Sequence, residues 1–240
     1  MYNFTLDMKI LGIETSMYAG SIALSDGEKI AGEYYFNTGP SHSEKLLPSI
    51  DWLLGELGVA KTDLDGVAVS LGPGSFTSLR IGIATAKGLS FSLGIPVAGI
   101  STLELLAMNV LFAPYKLCPV IDARRGEVFA AFFESREGEL VRISEDMVIS
   151  HEDLAGKIKE KTIFIGEAAL LYSDFLDHMW GGLGYALYCP QALNYPRAGF
   201  LSHLGYNRIK EGRVDDPFML APHYMRKSEA EISKENRNKD

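Results

Sequence analysis

The stretch Gly72-Pro73-Gly74-Ser75-Phe76-Thr77 is the part of this chain whose residue types best suit chemistry. An apolar run over residues 66–71 leads into it, and a helical pattern over 75–93 leads out. Backbone N–H groups at a helix start, backed by the positive end of the helix dipole, can cradle a phosphate. The familiar cradles need more. A Walker A loop requires Gly-Lys-Ser/Thr, and the dinucleotide fingerprint requires a third glycine where Thr77 stands. Taken alone, the loop reads as a tight structural turn. Two acids are candidates to complete a phosphate or cation site: Glu14, followed by Thr15 and Ser16, and Asp122, followed by Ala123-Arg124-Arg125. Glu14 reads first as a hydrogen-bonded acid at a strand end and only second as a base. Arg80, one turn into the helix, is expected to pair with a carboxylate, the alternative being a phosphate at the loop. Arg124 and Arg125 read as solvated turn residues, with contact to RNA or a partner as the lesser option. His42 reads as a cap or surface residue.

Other chemistries lack their residues. The cysteines, Cys118 and Cys189, form no C-x-x-C pair, and the five histidines form no H-x-x-x-H, so neither a disulfide framework nor a metal site is expected. No Ser-His-Asp or Cys-His arrangement stands out. Acidic residues outnumber basic ones, 31 to 23, for a net charge of −8. That argues against broad nucleic-acid binding by the chain alone, which relies on Lys and Arg, but not against membership of a complex that handles RNA. With 47% hydrophobic and 22% charged residues, the balance is that of a globular protein. No apolar run reaches the ~18–20 residues that span a bilayer, and no basic start precedes a long apolar stretch, so the cytoplasm is the expected compartment. Met8-Lys9 precedes the first strand-like run, so residues 1–7 read as a short extension, or Met8 as the start.

The elements that must position these residues occur twice. Strands are expected at 9–15, 21–24, 29–36, 66–71 and 96–100, with helices at 42–57, 75–93 and 102–112. Gly94 supplies a helix stop. The second half repeats the order, with strands at 117–122, 127–134, 140–149, 162–166 and 186–189. Its helices are expected at 151–160, 168–179 and 197–210, the first opened by Ser150 with Asp153 three residues on. Residues 228–240, charged and without aromatics, read as a frayed tail. The result is an α/β chain of tandem duplicated βββαβαβα units with mixed sheets flanked by helices, the plan of the actin, Hsp70 and sugar-kinase superfamily with its ribonuclease H-like fold. Residues 1–112 and 113–227 form the two subdomains. A single irregular α/β domain is the competing reading.

Two helices carry more apolar or small surface than one core stripe requires. Leu46, Ile50, Leu53 and Leu57 share a face that Leu47 and Leu54 widen, around an internal Pro48. Ser78, Gly82, Ala86 and Ser90 recur every four residues as a ridge that permits close helix approach. Packing on the chain's own sheet and docking of a partner are both open readings.

Several segments together resemble the TsaB (YeaZ) family. They are Ile10-Leu11-Gly12-Ile13-Glu14-Thr15-Ser16, His42-Ser43-Glu44-Lys45-Leu46-Leu47-Pro48, the block GPGSFTSLRIGIATAKG from Gly72 to Gly88, Asp122-Ala123-Arg124-Arg125-Gly126-Glu127-Val128, and Pro222-His223-Tyr224-Met225-Arg226. The resemblance covers the chain to about residue 231, and the glycine block is its specific part. It implies a tandem actin-like fold and a role in bacterial synthesis of N6-threonylcarbamoyladenosine, beside the anticodon of tRNAs that read codons starting with A. In that system one enzyme makes threonylcarbamoyl-AMP from threonine, bicarbonate and ATP. The homologous TsaD transfers the threonylcarbamoyl group to tRNA, and TsaE is an ATPase partner. TsaB is regarded as a non-catalytic scaffold that binds TsaD through its N-terminal half.

Carried over, the resemblance implies a partner interface at Leu46, Leu47, Ile50, Leu53, Leu54, Ser78, Gly82, Thr85, Ala86 and Leu89, with a homodimer possible through the same surface. It implies degenerate nucleotide-site remnants at Glu14, Thr15, Ser16, Gly72, Gly74 and Asp122. No catalytic residue, metal or cofactor is implied in the isolated chain; ATP or ADP and a metal are expected on partner subunits. The metal-binding His pair of the catalytic sister falls here on Thr102 and Leu106, and a leucine cannot ligate a metal. The superfamily's adenosine turn is reduced to Gly166-Glu167. The rival function is an ATP-dependent phosphotransferase or ATPase of the same fold; a subunit that binds tRNA directly is a third possibility.

Overall fold

In the computed structural model, which describes residues 8–37, 42–179 and 184–226, the chain builds two sheets with the same plan. The first contains β1 (Lys9–Glu14), β2 (Gly20–Asp26), β3 (Lys29–Phe36), β4 (Gly66–Gly72) and β5 (Val97–Ser101), with helices α1 (His42–Glu56), α2 (Phe76–Leu93) and α3 (Thr102–Met108). The second region contains β6 (Lys116–Arg124), β7 (Glu127–Ala130), β8 (Phe133–Arg136), β9 (Glu139–Arg142), β10 (Met147–Ser150), β11 (Thr162–Ile165) and β12 (Ala186–Tyr188). Its helices are α4 (His151–Lys157), α5 (Glu167–Leu171), α6 (Ser173–Met179) and α7 (Ala198–Lys210). Strand order is β3-β2-β1-β4-β5 in the first sheet and β10-β7-β6-β11-β12 in the second. In each, an antiparallel meander is followed by parallel crossovers, so the repeated element order is a repeated architecture. The fold is the tandem actin-like one.

Alternation decides the faces of the first sheet. Leu11 and Ile13 join Leu46, Ile50 and Leu53 on the α1–α2 side. Ile10 and Ala68 meet Leu201 and Tyr206 of α7 on the other. A strand buried on both faces reads as a continuous apolar run, as β1 and β4 do. Gly12 and Gly205 permit the close approach of α7: a Cβ on Gly12 would lie 2.7 Å from the Ala198 carbonyl oxygen, and one on Gly205 would lie 2.4 Å from the Ala68 Cβ. The last helix of the second half therefore packs on the first sheet, not within residues 113–227. A third cluster, with Leu103, Leu106, Ile121, Phe133 and Ile165, fills the space between the lobes.

Local signals fall where the sequence puts them. Ser75 caps α2, Gly94 ends it at φ 67°, and the Ser150 hydroxyl accepts the Asp153 N–H at 3.0 Å. Three expected elements are interrupted and a fourth is cut short. The strands at 127–134 and 140–149 each split, because the pairing shifts after Ala130: β7 lies between β6 and β10, whereas β8 lies between β6 and β9, with Ala131 and Phe133 buried between the lobes. The resulting β8–β9 hairpin pairs with β6 at Leu117 and Phe133. The helix at 168–179 breaks at Tyr172, whose ring stacks on His151 with centroids 4.9 Å apart. The helix at 102–112 stops at Met108, after which the Asn109 side chain donates to the Leu193 and Tyr195 carbonyls at 2.8 and 2.9 Å.

Candidate functional site

The glycine loop closes on the first hairpin. The Ser75 N–H donates to the Ser16 carbonyl at 2.7 Å, and a Cβ on Gly74 would stand 2.2 Å from that same oxygen. Gly72 takes φ 101°, a conformation that glycine adopts without strain. The Thr15 hydroxyl donates to the Ser78 carbonyl at 2.9 Å and ties β1 to the first turn of α2. Gly74 and its neighbours thus serve backbone-to-backbone contact, as the structural reading of the loop expects.

Glu14, Thr15 and Ser16 are buried at 1% exposure or less. Glu14 Oε1 accepts the Ser16 N–H at 2.8 Å, the role of a strand-end acid. Burial pushes its carboxyl up to about 7, against hydrogen bonds from Ser16 and Ser70 that favour ionisation. Of the expected nucleotide-site remnants, only Gly74 and Asp122 line the cleft between the lobes. The other four are buried, three at the end of β1 and Gly72 at the end of β4. That cleft has a volume of about 430 Å³ and also takes in Met17, Phe76, Arg124 and Glu167. Asp122 Oδ1 accepts the Arg124 N–H at 2.8 Å, and its other oxygen lies 3.4 Å from the Arg124 guanidinium. It holds a turn in which Arg124 and Arg125 have φ of 66° and 58°. The Glu167 carboxyl is raised, first by burial and then by the Asp122 charge. Among the described residues no three His, Cys, Asp or Glu side chains are grouped to hold a metal. Thr102 and Leu106 are both buried.

Arg80 departs from its expected carboxylate partner. Its guanidinium lies 3.7 Å from the Phe76 ring centroid, and its Nε donates to the Tyr224 hydroxyl at 2.8 Å. The aromatic residue 144 positions later could not be matched to it from spacing.

The expected partner face is also reassigned in part. Leu46, Ile50, Leu53 and Leu54 are core residues, and Gly82 and Ala86 are buried as well. A Cβ on Gly82 would lie 2.3 Å from Thr15 Oγ1, so the small-residue ridge lets α2 settle on its own sheet. Leu47 is 51% exposed, Trp52 is 52% exposed and Phe91 is 46% exposed, and Ser78, Thr85 and Leu89 are half-buried. The outward stripe of α2 runs Thr77, Ala84, Gly88, Phe91, with the half-buried Ile81 between the first two also packing on the core. Gly88 has open space where a Cβ would stand. The four-residue ridge drew attention to the inward stripe; the outer one, less uniform in size, went unread.

A family model described as "TsaD: tRNA N6-adenosine threonylcarbamoyltransferase" matches residues 37–234. The Bacillus subtilis (strain 168) protein "tRNA threonylcarbamoyladenosine biosynthesis protein TsaB" is 34% identical over 93% of this chain and 96% of its own length. This chain belongs to the TsaB family. A Haemophilus influenzae relative of the same description is 33% identical over 94% of the chain and 95% of its own length. Among solved structures, "YeaZ from Pseudomonas aeruginosa" superposes with a TM-score of 0.74 at 26% identity, over 91% of this chain and all of that one. The ROK hexokinase of Thermus thermophilus, with a TM-score of 0.50 at 12% identity over 85% of the chain and all of the kinase, shares the fold alone. No helix among the described residues is long and apolar enough to cross a membrane.

Proposed function

We propose that the chain is a non-catalytic subunit in tRNA threonylcarbamoyladenosine biosynthesis, a scaffold for a TsaD-type sister that transfers the threonylcarbamoyl group. The near full-length likeness to proteins named for that pathway carries the reading. The exposed apolar stripe on α1 and α2 supports a helix-to-helix contact with the sister, centred on Leu47, Ala84, Gly88 and Phe91 rather than on the buried leucines. Apolar side chains exposed in an array of this kind mark an interaction surface. In this reading ATP or ADP and any metal belong to the sister and to a TsaE-type ATPase. tRNA is met through the complex, the compartment is the cytoplasm, and the isolated chain uses the same stripe to homodimerise.

An omit-one reconstitution tests this. The chain is combined with TsaD-type and TsaE-type partners, threonylcarbamoyl-AMP synthase, ATP, threonine, bicarbonate and unmodified tRNA, and the modified base is quantified by mass spectrometry. Loss of the base only when this chain is omitted, with no activity from the chain alone, is the expected result. Equal yield without it overturns the proposal.

A further inference from the structure

The cleft is bridged by the segment that follows α7. After α7, the backbone returns along the first lobe: the Asp215 N–H donates to the Val97 carbonyl at 2.9 Å, and Lys87 Nζ donates to the Phe218 and Leu220 carbonyls at 3.2 Å. Leu220 sinks into the core of that lobe. Residues 222–226 then cross. The His223 N–H donates to the Leu71 carbonyl at 2.8 Å, and the Tyr224 ring stacks on Phe76 at 4.7 Å while its hydroxyl accepts from Arg80. Two residues on, Arg226 has left the first lobe. It donates to the Ala123 carbonyl at 2.8 Å and forms an ion pair with Glu127, both on the β6–β7 hairpin. His223 Nδ1 also approaches Asp146 of the second lobe at 3.6 Å.

We propose that residues 222–226 are a clamp that holds the two lobes together along one wall of the cleft. Tyr224 is the anchor on the first lobe and Arg226 the latch on the second. The anchor uses an aromatic stack with a guanidinium laid on it, a contact that needs no movement of either lobe. The latch meets a backbone carbonyl and a carboxylate on a hairpin, groups that a guanidinium can bind together. His223, Tyr224, Met225 and Arg226 all line the cavity beside Gly74 and Asp122, so the clamp forms one wall of the cleft. The inference stands on these contacts and not on the proposed role in tRNA modification.

The test is an interlobe distance in the full chain. Spin labels go on Lys45→Cys of α1 and Lys157→Cys of α4, both exposed, while Cys118 and Cys189 are buried and poor targets. In the Y224A/R226A variant the distance distribution is expected to shift to longer values and broaden. Hydrogen exchange of residues 72–77 and 123–127 is expected to speed up about tenfold. A distribution that overlays that of the parent, or exchange that rises only within 222–226, overturns the clamp. If the double variant fails to fold, Arg226→Gln replaces it, since that change removes the charge at a half-buried position and leaves the Tyr224 anchor in place.

Discussion

The two lobes each carry an acid near the end of their first strand and treat it in opposite ways. Glu14 is buried at the end of β1, accepts a backbone N–H and is pushed toward its neutral form. Asp122 sits at the cleft and holds a left-handed turn against Arg124, which is itself 80% exposed. The helices diverge in the same way. After its fourth strand the first lobe builds α2, a capped helix of 18 residues, whereas the second builds α5 and α6, of 5 and 7 residues. A glycine at positive φ precedes each, Gly72 at φ 101° three residues before the Ser75 cap and Gly166 at φ 115° as the residue before α5. A shared topology thus fixes where an acid or a helix start stands, while local burial fixes what it can do. The first lobe has spent its acid on the core and extended its helices into a surface. The second has kept short helices and an acid at the cleft.

The strongest way to break this contrast is a charge on α1. Leu46→Asp buries a carboxylate in the first-lobe core and should cost more than about 4 kcal/mol, abolishing the cooperative melt. Leu47→Asp, one residue on, should leave the melt within about 0.5 kcal/mol of the parent and abolish co-elution with a TsaD-type partner. If Leu47→Asp still co-elutes, the outer stripe is not the contact.

Glu14→Gln sharpens the acid comparison. A carboxyl raised from 4.5 to about 7 in the fold binds its proton more tightly folded than unfolded. Stability is therefore free of its penalty below pH 4.5, falls as pH rises to about 7, and is flat above, by about 3 kcal/mol in all. Urea unfolding from pH 4 to 8 should show that the parent loses stability relative to Glu14→Gln across this window. Parallel curves would mean that Glu14 is ionised in the fold.

The two faces of α2 give a smaller contrast. Gly82→Ala places a methyl against Thr15 and should cost about 1–3 kcal/mol. Gly88→Ala meets open space and should stabilise by up to about 1 kcal/mol through helix propensity. Equal effects in thermal melts would remove the distinction between inner and outer stripes. The smallest expected change is Ser150→Ala, which loses the cap of α4 and should cost about 1 kcal/mol, read as a shift of the urea midpoint.

The order of the elements, the glycine loop as a turn, the helix stop at Gly94 and the cap at Ser150 were legible in the sequence because each rests on residues near one another in the chain. Period-two alternation, a hydroxyl three residues before an N–H, and glycine at a left-handed position are local rules. The motif resemblance was legible for the same reason, since its quoted blocks are contiguous.

What only the tertiary structure decided were choices between faces and partners far apart in the chain. Helical spacing puts Leu46 and Leu47 about 100° apart but does not say which one meets the sheet. A ridge of small residues suits a sheet and a partner helix equally, and only the 2.3 Å approach of Thr15 to a Cβ on Gly82 assigns it. Arg80 found Tyr224 instead of a carboxylate, and α7 crossed to the first sheet, because these contacts join residues more than a hundred positions apart or elements of different repeats. Packing against a distant element is a property of the assembled core. No local pattern encodes it, so the sequence by itself determined the elements and their order, and the fold determined which of their surfaces remained for function.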